Sequence, residues 1–326
     1  MKMSPIPSPL SPVPSPETRV WSTIDFGQDG KQFGYLRVPF STDLSAYGTV
    51  PISVWCIRNG KGPTALLIAG NHGDEYEGQV ALSKLARSID PEDVRGRIIL
   101  LPHLNMPAAK AGRRLSPLDE GNLNRLFPGD AKGPPTQMIA DYVASVLLPM
   151  ADVVLDLHSG GRSLEYMPCS LMRSGGSKEE TEELVQLARV FGAPVCSVSD
   201  GSGGGGASTM SAWAQALGTP IITAELGGGG GIHREGEQLA RQGTLRVLRH
   251  LGILPSIETS APSTMRLMQV VGRDAYLYAP AAGIFEPTIE VGDMVQAGSI
   301  GGTIHPFDDD EPILVRFKRA GLVVCR

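Results

Sequence analysis

A chain of 326 residues exceeds the usual single-domain length, so one large domain with a smaller companion is expected. Its 41% hydrophobic and 19% charged residues are those of an ordinary globular protein and exclude wholesale disorder, coiled coil and fibre. A net charge of -5, with Lys and Arg scattered and no basic stripe, leaves no electrostatic footprint for nucleic acid and directs attention to a small-molecule substrate.

Residues 1–19 open the chain as a Pro/Ser-rich stretch without the continuous apolar core of a signal peptide or anchor, and are expected to form a disordered tail. No later apolar run approaches the roughly 20 residues needed to cross a bilayer, so no membrane partner is expected. The cysteines, Cys56, Cys169, Cys196 and Cys325, are far apart and form no CxxC pair. That suggests neither a thiolate metal site nor a disulfide framework and fits a reducing cytoplasm. A homo-oligomer is left open by the sequence.

From Val20 to Asn59, short β-prone stretches are broken by Asp29-Gly30 and Asn59-Gly60, read as hairpins at one edge of the main sheet. Beyond Gly62 apolar strands alternate with amphipathic helices, the pattern of an α/β layer architecture. Strands are expected at Thr64–Ala69, Arg97–Leu101, Asp152–Leu157, Val195–Val198 and Ile221–Leu226. Helical spacing appears in Val80, Leu82, Leu85, Ala86 and Ile89, in Ile139, Val143, Val146 and Leu147, and in Leu184, Leu187, Ala188 and Phe191, all read as core stripes. A catalytic domain over residues 20–254 is followed by an aperiodic Pro/Ser/Thr linker over 255–264. Residues 265–326 read as a small all-β unit with turns at Gly272-Arg273, Gly292-Asp293 and Gly301-Gly302.

Within the α/β region, TALLIAGNHGDEYEG is an apolar strand ending in a glycine-bracketed turn that carries His72 and Glu75 at HxxE spacing. Imidazole and carboxylate together suit Zn²⁺, which in catalytic sites takes three protein ligands and leaves a position for water. By itself HxxE is weak; a strand-end position raises its value. ADVVLDLHSGG delivers Asp156 and His158 two apart, on one face of a strand, which makes Asp156 a candidate orienting carboxylate for His158 or for His72. An isolated DLH reads equally well as a structural histidine with its own partner. In PIITAELGGGG, Glu225 ends a strand before the glycines Gly227 to Gly231 and can serve as general base for amide cleavage. Taken alone it reads as an exposed Glu at a mobile turn. Between the first two segments lies a long Asn/Arg/Gly/Pro-rich stretch. There Asn124 and Arg125 suit a substrate carboxylate, and Arg114 an oxyanion.

Taken in order, GNHGDEYEG, GNLNRLFPG, DLHSGG and AELGGGG resemble the succinylglutamate desuccinylase/aspartoacylase family, relatives of zinc carboxypeptidases. Within it, GNHGDEYEG, RRLSPLDEGNLNRLFPG and ELGGGG most closely resemble the N-alpha-acetyl-L-2,4-diaminobutyrate deacetylases of ectoine breakdown. The resemblance implies a three-layer α/β/α catalytic domain with a mixed sheet. It implies His72, Glu75 and His158 as ligands of one zinc per chain, Glu225 as the catalytic glutamate, and Arg114, Asn124 and Arg125 as the substrate loop. The implied substrate is a small N-acyl amino acid, with N-acetyl-2,4-diaminobutyrate foremost; other N-acyl amino acids, a carboxypeptidase substrate or a non-catalytic metal-binding role are the alternatives. Which of Arg113 and Arg114 faces the site is open, as is which of Glu165, Asp200 and Glu235 would meet a substrate ammonium. His103 reads as lining the pocket or as a hydrogen-bonded structural residue.

Overall fold

Three strands open the fold, β1 (Trp21–Ser22), β2 (Gly30–Pro39) and β3 (Thr49–Asn59), each antiparallel to the next. They continue into β4 (Thr64–Ala69), α1 (Tyr76–Ser88), β5 (Gly96–Leu101), α2 (Met106–Ala111), α3 (Pro135–Tyr142) and β6 (Val153–His158). Next come β7 (Cys169–Arg173), α4 (Lys178–Phe191), β8 (Val195–Ser199), α5 (Met210–Ala216), β9 (Ile221–Glu225), α6 (Arg234–His250) and β10 (Arg266–Val270). The computed structural model describes residues 17–174, 176–199, 206–270, 272–308 and 310–326. Of the expected tail, all but Glu17 to Arg19 lies outside the described residues, and so does Asp200.

All ten strands form one mixed sheet in the order β1-β2-β3-β5-β4-β6-β9-β7-β8-β10. At its centre β5, β4, β6 and β9 run parallel, and β7 reverses direction beside β9. Alternation of side chains explains the layers. In β4, Ala65, Leu67 and Ala69 pack with α1, α4 and α6, whereas Leu66 and Ile68 pack with α3 and α5 on the other face. Both faces are therefore covered, and the central strands read as unbroken apolar runs for that reason.

Two expectations at the edges change. Asn59-Gly60 is not a hairpin turn, because it joins β3 to β4 and β5 lies between these strands in the sheet. β7 was not foreseen; it is short and follows an aperiodic stretch, so period-2 patterning had little to act on.

A further difference concerns the end of the large domain. β10 falls within the segment expected to begin the small unit, yet it pairs in parallel with β8 and completes the main sheet. The stretch before it, residues 255–264, has no regular element but is fastened: Arg246 Nη1 donates to Ser260 Oγ at 3.1 Å, and Pro262 packs against Gly192. After β10 come β11 (Ile284–Pro287), β12 (Met294–Val295), β13 (Ile300–His305), β14 (Ile313–Arg316) and β15 (Gly321–Leu322), in small antiparallel sheets. Gly301 and Gly302 lie inside β13 rather than at a turn; the rings of Phe317 and Phe285 occupy the space that their side chains would need. Among the described residues, no helix is long and apolar enough to cross a membrane.

Candidate metal centre and catalytic pocket

Sheet register assembles the floor of the site. In β6, Val153, Leu155 and Leu157 face α1 and α6, so Asp156 and His158 face the opposite side, with Val154. In β9, Ile222 and Ala224 share the first face, which puts Glu225 on the second with Ile221. His158 and Glu225 are register partners on these two parallel strands, so their side chains rise next to each other at the carboxyl ends of the strands. One strand over, β4 ends at Ala69 and feeds the turn that carries His72 and Glu75.

That turn is shaped by Gly73. A Cβ at this position would lie 2.0 Å from the carbonyl carbon of Ala108, so only glycine lets the turn rest on α2. Gly73 N–H donates to Arg113 O at 2.9 Å, which ties the turn to the arginine doublet. Glu75 then occupies the N-cap position of α1 but does not cap it; its carboxylate points at the histidines.

His72 Nδ1 lies 2.6 Å from Glu75 Oε1, and His158 Nδ1 lies 2.7 Å from Glu75 Oε2. The three residues are only 2–3% exposed, and their ligand atoms lie within 4.8 Å of one another. Two imidazole nitrogens and a carboxylate converging away from water form a donor set that fits a divalent zinc-type ion. The remote ring nitrogens are held as well. His158 Nε2 sits 2.9 Å from Asp156 Oδ2, which settles the choice left open for Asp156 in favour of His158. His72 Nε2 sits 3.1 Å from Asn122 Oδ1. Asn122 was not singled out from the sequence, although it stands in the same GNLNR motif; the need of a candidate ligand histidine for a second partner is the signal that points to it.

These groups shift one another's protonation. Burial alone would raise the Glu75 carboxyl, but His158 and His72 outweigh it and hold it well below the usual carboxylate range. Burial would depress His158; Asp156 and Glu75 on either side of its ring raise it instead. For Glu225 the balance is reversed. Burial pushes its carboxyl up to about 8, with Glu75 and Asp156 adding to the rise against His158 and Arg114. Its Oε2 is enclosed and meets no hydrogen-bond partner among the described residues, while part of the residue still reaches solvent.

Arginine supplies the positive side. Arg114 Nη1 donates to Glu75 Oε1 at 3.2 Å, so this member of the doublet faces the site, whereas Arg113 pairs with Glu120 at the surface. Arg125 Nη1 donates to Asn124 O at 2.8 Å, and burial together with nearby Arg114 lowers its pKa. Asn124 is placed less directly than expected. Its Oδ1 accepts the Met210 N–H at 3.0 Å at the start of α5, so only its amide NH₂ is left to offer a substrate.

Beside Glu225 the chain folds over the glycine run. Tyr166 N–H and Gly160 N–H both donate to Gly227 O, at 3.0 and 2.9 Å, and burial with nearby Glu225 and Cys325 raises the Tyr166 phenol. Glu165 pairs with Arg326 at 2.8 Å, and Glu235 lies exposed in the first turn of α6, so neither offers an unengaged carboxylate aimed into the pocket. His233 Nε2 meets Gly228 O at 3.0 Å and braces the glycine loop. His103 contacts Gln79 rather than the metal-ligand cluster.

Comparison with known proteins identifies the family. Residues 61–251 match the succinylglutamate desuccinylase/aspartoacylase catalytic domain. The chain is 39% identical to an N-alpha-acetyl-L-2,4-diaminobutyric acid deacetylase from Halomonas elongata, over 98% of this chain and 91% of that protein. The product-bound structure of the ectoine utilization protein EutE (DoeB) from Ruegeria pomeroyi superposes with a TM-score of 0.90 at 38% identity, covering 95% of this chain and 94% of the other. A succinylglutamate desuccinylase/aspartoacylase from Rhodobacter sphaeroides gives 0.86 at 39% identity, covering 94% and 92%. The chain thus belongs to the succinylglutamate desuccinylase/aspartoacylase family, a family of deacylases.

Proposed function

We propose that the protein hydrolyses the amide of a small N-acyl amino acid, N-acetyl-2,4-diaminobutyrate in the first place, giving diaminobutyrate and acetate. The observation that carries this reading is the buried His72, Glu75 and His158 cluster with Glu225 beside it, in a chain that matches a diaminobutyrate deacetylase along 98% of its length. His72 and His158, each through Nδ1, and Glu75 would hold one zinc ion per chain. Zinc at such a centre supplies Lewis acidity, polarising a carbonyl and acidifying water.

The remaining chemistry falls to the chain's own residues. Glu225 takes a proton from the attacking water and delivers it to the amide nitrogen as the C–N bond breaks, so that the amine leaves neutral. Burial raises the affinity of this carboxylate for a proton, which strengthens it as the acceptor of the proton from water. Arg114 lies beside Glu75 and meets the oxygen on which charge develops. Arg125 binds the substrate carboxylate, with the Asn124 amide as an additional donor. Asp156 keeps His158 oriented.

The test is a panel of N-acyl amino acids incubated with zinc-loaded protein, with acetate and succinate measured. Acetate release fastest from N-acetyl-2,4-diaminobutyrate supports the reading. Faster release from N-acetylaspartate or N-succinylglutamate would move the substrate elsewhere within the family, and a zinc-loaded protein inert to the whole panel would overturn the enzymatic reading.

A further inference from the structure

Both ligands that precede α1, His72 and Glu75, come from one short turn, so the path of that turn fixes how far apart their donor atoms stand. Its backbone is gripped by a side chain from the first turns of α1. Gln79 is 6% exposed, and its Nε2 donates to Gly73 O at 3.1 Å and to Glu75 O at 2.8 Å. An amide has two N–H donors, and both are spent here on carbonyls that bracket Asp74. On its other side, Gln79 Oε1 accepts from His103 Nδ1 at 2.9 Å. The amide orientation, fixed by the two carbonyls, requires that His103 carry its proton on Nδ1. Burial and nearby Arg87 disfavour the charged ring, consistent with a neutral donor. His103 follows the end of β5, and its backbone lies against Gly70 at the exit of β4, so the chain of bonds spans two neighbouring strand ends.

We propose that Gln79, held by His103, is a positioning residue for the metal-binding turn, clamping the carbonyls of Gly73 and Glu75 so that the His72 and Glu75 side chains are aligned before metal arrives. Neither residue touches the metal-ligand atoms; both act through backbone. The proposal rests on the reading of His72, Glu75 and His158 as a metal centre. Its logic is that of outer partners of a metal site, whose removal typically costs 10–100-fold in affinity.

The experiment measures zinc affinity by chelator competition and records the visible spectrum of the cobalt(II)-substituted protein, for wild type and for Gln79→Met, His103→Leu and His103→Asn. Methionine keeps the length of glutamine without its hydrogen bonds, and asparagine places an N–H close to where Nδ1–H stood. Gln79→Met is expected to weaken zinc about 10–100-fold and to alter the cobalt spectrum. His103→Leu should weaken it less, and His103→Asn should restore wild-type affinity and spectrum. Purely structural residues would lower the melting temperature of the metal-free protein and leave affinity and spectrum of the folded protein unchanged. Gln79→Met and His103→Leu binding zinc as wild type does would overturn the clamp alone; if Gln79→Met does not fold, the two His103 variants decide. A wild type that takes up no divalent metal would overturn the metal reading together with the clamp.

Discussion

His158 and Glu225 end two hydrogen-bonded parallel strands at the centre of the sheet, whereas Arg114, Asn124 and Arg125 hang on the stretch between α2 and α3, whose only regular element among the described residues is the short turn Leu123–Arg125. His158 is 3% exposed, while the Arg114 side chain is 37% exposed. Floor and rim therefore acquire their geometry differently. The floor is set by register and by packing on both sheet faces, so Glu75, His158 and Glu225 lie close together in a largely buried space and shift one another's protonation. The rim is set by a few hydrogen bonds, from Arg114 to the Glu75 carboxylate, from Arg125 to the Asn124 carbonyl and from the start of α5 to Asn124. Floor substitutions should act on chemistry and metal, and rim substitutions mainly on substrate.

The largest expected effect tests the floor directly. Glu225→Gln keeps the shape of the side chain and removes its proton transfer, so kcat should fall about 10²–10⁴-fold with zinc content unchanged, measured by acetate release and metal analysis. Loss of the metal in this variant would make Glu225 a ligand and remove the division of labour within the floor.

The next effect separates the partners of the two histidines. Asp156 holds His158 with a charge, and Asn122 holds His72 with a neutral amide. Asp156→Ala should therefore cost about 10–100-fold in zinc affinity, and Asn122→Ala less, both read by chelator competition. Equal losses would show that ring orientation alone matters and that the charge on Asp156 adds nothing.

The same division governs what the sequence revealed. His72, Glu75, Asp156, His158 and Glu225 were legible because each stands at or near the end of an apolar strand, where period and residue chemistry coincide. Strand alternation even placed Asp156 beside His158. Asn122 and Tyr166 were not legible, since they lie in aperiodic segments whose path depends on contacts distant in sequence. The role of Asn124 was read from its type, but its oxygen is used by α5, a partner 86 positions away. β10 was assigned to the wrong side of a boundary because an aperiodic Pro/Ser stretch looks the same as a linker whether it runs free or is fastened by Arg246.

At the rim, Arg113 and Arg114 form a natural control. Arg114→Ala should lower kcat/KM by about 100-fold, the lower end of what a lost transition-state donor costs, because its side chain is 37% exposed. Arg113→Ala breaks only an exposed pair with Glu120 and should leave kcat/KM within about twofold. The reverse outcome would mean that the loop reorganises when substrate binds and that rim geometry in the free protein is not the working one.

The smallest effect asks whether Glu225 truly belongs to the floor, given that part of the residue reaches solvent. Its carboxyl stands at about 8 in the folded protein against an ordinary 4.5. Between those values the unfolded chain has released the proton and the folded chain retains it, so the folded state binds more protons and its stability falls as pH rises. The favourable contribution is complete below about 4.5 and is lost progressively up to about 8. Gln at this position does not titrate. In metal-stripped protein, the melting temperature of wild type should therefore drop relative to Glu225→Gln between pH 5 and pH 8, by a few degrees at most if the exposed edge of the carboxylate is hydrated. His158, which its two carboxylate neighbours keep protonated, adds a loss of the same sign to both proteins and largely cancels in the comparison. Melting curves that stay parallel across this range would show that water reaches Glu225 freely, and would move it from the floor to the rim.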